Sequence, residues 1–176
     1  MRRLISIVLF FAILWCLLWT VFGLGLKSAL DVWFENLRAD GWQADYATLE
    51  LRGFPTRVRA DMTDIVLADT GGGLVMNLPD LKIGVPTYWP GDVTLSLPND
   101  PIIFTTPQGR STLQISEGHA DLQLHPGPSV EVESISATVG EWILFSGTRS
   151  VLGASDLTLT MDQIETSPNT YIFVAQ

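Results

Sequence analysis

Residues 4–26, LISIVLFFAILWCLLWTVFGLGL, carry no charge. A helix that is apolar on every side must be buried in a large core or in lipid. As a helix this run is about 34 Å long, at about 1.5 Å per residue, and so exceeds the roughly 30 Å hydrocarbon layer of a bilayer. A helix also satisfies its own backbone amides, as a buried span requires. The run is long for a signal-peptide core, and no small-x-small site follows it closely. Trp15 stands before Cys16, where a lipoprotein signal needs a small residue. The segment therefore reads as an uncleaved anchor over residues 1–27. Arg2 and Arg3 precede it, which keeps the N-terminus in the cytosol under the positive-inside rule. In a bacterium this predicts an inner-membrane protein with most of its chain in the periplasm.

Of the ten Lys and Arg residues, three precede Ser28, which leaves seven against 19 acidic residues in the exported part. Such a surface repels phosphate, so no nucleic-acid partner is expected. Cys16 is the only cysteine. Beyond the anchor there is neither a disulfide nor a thiol nucleophile.

Residues 28–41 begin SALDVWFENLRAD, with Leu26, Leu30, Trp33, Phe34 and Leu37 at helical spacing and Gly41 at the end. The stripe predicts an amphipathic helix packed on the following domain. The competing reading lays it at the headgroups, with Trp33 and Trp42 as interfacial anchors. From Ala44 onward no helix is indicated. Short alternating segments separated by Gly, Pro, Asn and Asp predict strands. Their close spacing demands tight reversals, so the fold class is mainly β: a curved antiparallel meander with one apolar face. The β domain covers residues 42–176 and ends on YIFVAQ, as though interrupted in mid-strand.

Within LELRGFPTRVRADMTDIVLA, residues 49–68, the apolar phase changes twice: Leu49 and Leu51, then Val58, Ala60 and Met62, then Ile65 and Leu67. A one-residue slip turns every later side chain to the other face, so each change calls for a bulge or a corner. Gly53 and Pro55 are expected to form the first bulge, with Phe54 pointing inward. Thr63 and Asp64 are expected to form the second reversal, as a tight turn or another bulge, with similar slips at Pro79 and Asp80 and near Ser134.

The segments LELRGFPTRV, DIVLA, VMNLPDLKIGVPTYWPGDVTLSLPND and TTPQGR resemble the uncharacterised bacterial domain family 2125. Tyr88, Pro90, Pro107 and Gly109 fall at that family's turn positions, and the Gly-Phe-Pro segment is the most specific. The resemblance spans roughly residues 1–160. It implies a membrane-anchored β protein about twice this length, loosely similar to AsmA-like envelope proteins, with no catalytic motif to transfer.

No residue pattern points to an enzyme or a cofactor. His119, Asp121 and His125 share a parity but lack the further ligand of a closed zinc site. Asp61, Asp64 and Asp69 are too dispersed for a calcium loop. DTGGGL, residues 69–74, reads as a hairpin, having neither the strand-to-helix context and Lys-Ser pair of a phosphate loop nor the second copy an aspartic protease needs. Ser146, Ser150 and Ser155 lack a nucleophile elbow. Arg52, Arg57 and Arg59 form the one basic cluster. They read either as charges that blunt a sheet edge or as a patch for an anionic headgroup or acidic partner. The expected function is to bind or guide acyl chains along the sheet, with lipid or an envelope protein as partner. A non-enzymatic protein-interaction module closed by a second sheet is the alternative.

Overall fold

The structure, a computed structural model, describes residues 1–89, 91–125, 131–163 and 171–175. One uninterrupted helix, α1 (Arg2–Ala39), contains both the apolar run and the amphipathic stripe. It stops at Asp40, and Gly41, at φ 91°, takes the left-handed position that commonly ends a helix.

Among the described residues eleven strands follow in one sheet, all paired antiparallel. They are β1 (Trp42–Asp45), β2 (Thr48–Arg52), β3 (Arg57–Asp69), β4 (Leu74–Pro86), β5 (Asp92–Ser96), β6 (Ile102–Thr106), β7 (Gly109–Ile115), β8 (His119–His125), β9 (Glu131–Ser146), β10 (Arg149–Gln163) and β11 (Tyr171–Ala175). β1 and β2 both lie along β3, β5 and β6 both along β4, and β7 and β8 both along β9. These three pairs are halves of single bent strands, so the topology is an up-and-down meander.

The bend lies at the same level in neighbouring strands. Asp64, Glu117 and Asp156, with φ of 50°, 54° and 57°, sit along it. Aspartate tolerates the left-handed region better than most residues. A residue there interrupts the two-residue alternation, so Met62 and Ile65 both face the core. Leu78 and Leu81 do the same on β4, and Val139 and Trp142 on β9. The ladder keeps its register across the bend, since Thr63 pairs with Asp80 and Ile65 with Leu78. The slips read at Thr63/Asp64 and Pro79/Asp80 are therefore one shared corner rather than two bulges. If one strand switched faces alone it would need an extra residue. Strands that switch together keep their pairing.

The expected bulge at Gly53, Phe54 and Pro55 is instead the loop of the β2–β3 hairpin. It carries a cis Phe54–Pro55 peptide bond, and Gly53 has φ 98°. Its four residues pair odd positions with even ones, Leu49 with Met62 and Leu51 with Ala60. The parity thus changes at a reversal without any bulge. Phe54 is not an inward anchor, being 55% exposed. The slip near Ser134 is a bulge: Gln123 pairs with Ser134 and Leu124 with Val132, which leaves Glu133 as the extra residue. A second bulge, at Val151, had no signal in the pattern.

The core lies between α1 and the apolar face of the sheet, around Phe34, Ala60, Met62 and Ile65. At the far end of the helix the Tyr46 hydroxyl donates to Asp31 Oδ1 at 2.9 Å, and the Tyr46 ring meets Phe34 edge-on at 5.0 Å. The hydrogen bond to the Asp31 carboxylate, followed by burial, raises the Tyr46 pKa. A raised folded pKa means that this contribution is intact below the ordinary tyrosine value of about 10 and is lost as pH climbs through the folded one. Tyr46→Phe is expected to cost about 0.5–1.5 kcal/mol in a thermal melt at neutral pH, and to remove one phenolate of raised pKa from an absorbance titration.

Candidate apolar groove

The stripe of α1 packs as the first reading predicts. Phe34 is 1% exposed, Leu30 is buried, and Leu26 and Leu37 are partly buried against the core. Trp33 departs from the stripe: it is 46% exposed and stands edge-on to Phe34 at 5.0 Å. Trp42 starts β1, half-buried.

The sheet also grips the helix well inside the segment read as anchor. Trp15 Nε1 donates to the Pro55 carbonyl at 2.9 Å, and Trp19 Nε1 to the Arg57 carbonyl at 2.7 Å. The Phe54 ring lies 5.7 Å from that of Trp19. Gly23 is buried, and a Cβ there would sit 3.2 Å from Leu51 Cδ1. Gly23→Val is therefore expected to push β2 away at a cost of about 1–3 kcal/mol, read as a lower melting temperature in detergent. The helix runs unbroken past residue 27, and Trp15, Trp19 and Gly23, inside the segment read as anchor, already touch the sheet.

Beside the helix, two cavities follow one another along the apolar face. The lower, about 420 Å³, lies between Phe22, Gly25 and Ala29 of α1 and Val85, Val93 and Leu124 of the sheet. The upper, about 380 Å³, lies between Leu30 and Trp33 of α1 and Met76, Ile83 and Leu95. Both fall in the size range of ligand pockets. Helix residues 21–34 border the pair, about 20 Å of helix, comparable to an extended acyl chain. The same apolar face continues outward: Leu95 pairs with Ala120, Ala120 with Ala137, and Ala137 with Leu159. On β10, Leu159 is 41% and Leu152 58% exposed. The helix covers the first strands and leaves the last ones open. The signal for the groove was the pair Gly23 and Gly25 in an apolar helix, since glycine disfavours helix unless packing or close approach needs it.

The arginines lie on the opposite, polar face. Arg52 donates to Glu50 Oε2 at 2.6 and 3.1 Å, which raises its pKa, and approaches Asp61 at 3.6 Å. Arg59 forms a two-point contact with Asp61 at 2.7 and 3.1 Å. Among the described residues Arg57 has no ion-pair partner. A shallow depression joins Arg57 and Arg59 to Lys82 and Thr94, and Lys82 itself pairs with Asp80 at 3.2 Å. Carboxylates thus offset most of this cluster.

The remaining candidates are not drawn together. His119 and Asp121 are exposed on β8, and the side chain of His125 lies outside the described residues. Asp61 is held by Arg59, Asp64 sits at the corner, and the Asp69 carboxylate accepts the amides of Gly71 and Gly72 at 2.9 Å each. DTGGGL is the β3–β4 hairpin. Ser146 ends β9, while on β10 Ser150 precedes the Val151 bulge and Ser155 precedes Asp156 at the corner.

A single sheet, one long helix packed on part of its apolar face and an open apolar flank define the architecture. The sequence profile described as "uncharacterized protein conserved in bacteria (DUF2125)" matches residues 19–175, and the chain belongs to that family. The matched range opens at Trp19, where the helix meets the hairpin. No curated protein and no solved structure matches the chain.

Proposed function

We propose that this protein is a single-pass envelope protein, anchored in the bacterial inner membrane with its N-terminus in the cytosol, whose groove between α1 and the sheet holds an acyl chain. The role is non-enzymatic and needs no cofactor. The observation that carries this reading is the continuity of the groove with the apolar helix. Residues Phe22, Gly25 and Ala29 line the lower cavity and belong to the same helix whose residues 4–18 are exposed and apolar. A helix long and apolar enough to cross a membrane thus leads directly to an apolar-lined cavity. The open β9–β10 flank favours a second reading, in which an envelope protein covers Leu152 and Leu159, since exposed apolar patches mark interaction sites. Native mass spectrometry of detergent-extracted protein separates the two. Retained phospholipid or fatty acid supports the groove. A lipid-free chain that co-purifies with a stoichiometric protein partner replaces it with the second reading.

A further inference from the structure

The two loops nearest the helix N-terminus differ in chemistry from those at the other end. Residues 53–56 read GFPT and residues 86–91 read PTYWPG, without a charge between them. Phe54 is 55%, Tyr88 72% and Trp89 47% exposed. At the opposite end the turns are built from Thr70 with Gly71–Gly73, from Pro107 and Gln108, and from Gly147 and Thr148. Aromatic residues concentrate where a protein meets the membrane–water interface.

The position of these loops along α1 gives the second argument, which rests on the anchor reading above. The hairpin is fastened to the helix at Trp15 and Trp19. From Arg3 to Trp15 the helix rises only about 18 Å, against the roughly 30 Å that a span must cross. With Arg2 and Arg3 at one surface, the hairpin tip cannot stand clear of the other. We infer that the loop of residues 53–56 and residues 86–89 are immersed in the outer leaflet, with the acyl and interfacial region of phospholipid as their partner. Mismatch of this kind is otherwise met by tilting or thinning; here an apolar tip is built to enter.

The backbone is prepared for that environment. Buried in lipid, each unpaired amide or carbonyl is costly. The Arg57 amide donates to the Gly53 carbonyl and the Thr87 amide to the Thr56 carbonyl, both at 3.0 Å. The Pro55 carbonyl accepts Trp15 Nε1 and the Thr87 hydroxyl, and the Arg57 carbonyl accepts Trp19 Nε1. Immersion also brings the end of the lower cavity lined by Pro86 and Thr87 next to the leaflet.

The test uses the full chain, with Cys16 replaced by Ser, in vesicles of phosphatidylethanolamine and phosphatidylglycerol. Single cysteines at Phe54, Tyr88, Gln108 and Leu9 carry an environment-sensitive dye. Doxyl-lipid quenching several-fold stronger at Phe54 and Tyr88 than at Gln108, with Leu9 also quenched, is the expected result. If Leu9 is quenched while Phe54 and Tyr88 match Gln108 in their access to aqueous iodide, tip immersion is overturned and the anchor stands. If Leu9 is not quenched, the anchor reading fails and takes this inference with it.

Discussion

Replacing Phe34 by alanine will cost about 3–5 kcal/mol, the range for removing a fully buried phenylalanine. Among the described residues Phe34 is the largest fully buried side chain, and its ring meets those of Trp33 and Tyr46. It pins the upper half of α1 against the sheet, next to Met62 and Ile65. Total stabilities of single domains are about 5–15 kcal/mol, so the variant should melt far below the parent in detergent and be cleaved readily in β3–β4. Leu9→Ala, on the exposed part of the helix, should leave the melt unchanged. A Phe34→Ala loss under about 1 kcal/mol would mean that α1 does not pack on this face, and the groove would lose its wall.

Gly25→Trp should remove bound lipid without unfolding the chain. Gly25 lines the lower cavity, and a Cβ there meets nothing within 4 Å. An indole built on it fills the slot rather than colliding with the sheet. Glycine inside a helix is disfavoured by about 1 kcal/mol relative to alanine, so the melting temperature should hold or rise. The lipid retained per chain should fall roughly tenfold, about 1.4 kcal/mol in occupancy. Leu9→Trp serves as the control for simply adding an indole to the helix. Unchanged lipid in Gly25→Trp, with the fold intact, would place the ligand elsewhere. The contrast with Gly23→Val is informative: two residues apart, one glycine admits the sheet and the other leaves room for a guest.

Much of this architecture is legible in local pattern. The apolar run, the stripe through Leu30 and Phe34, the alternation of the strands and the helix stop at Gly41 each depend on neighbours within a few residues. The arginine cluster was legible too, but its neutralisation was not. Asp61 meets Arg59 two residues along β3 and Arg52 across the β2–β3 hairpin, and the second of these contacts depends on register. The phase changes were visible without their causes. Parity alone does not distinguish a hairpin at Gly53, a shared corner at Asp64 and a bulge at Glu133, because all three shift the same alternation.

By itself, then, the chain determined an apolar N-terminal helix, a strand-rich remainder and the two-faced character of the sheet, since these follow from side-chain periodicity and backbone hydrogen-bond demand. Only the tertiary structure decided that the helix runs unbroken into the domain, that Trp15 and Trp19 bind the β2–β3 hairpin, and that Gly25 borders a cavity. Those outcomes depend on which strand lies beside which turn of the helix. That relation is set by long-range packing over dozens of intervening residues, and no local spacing records it.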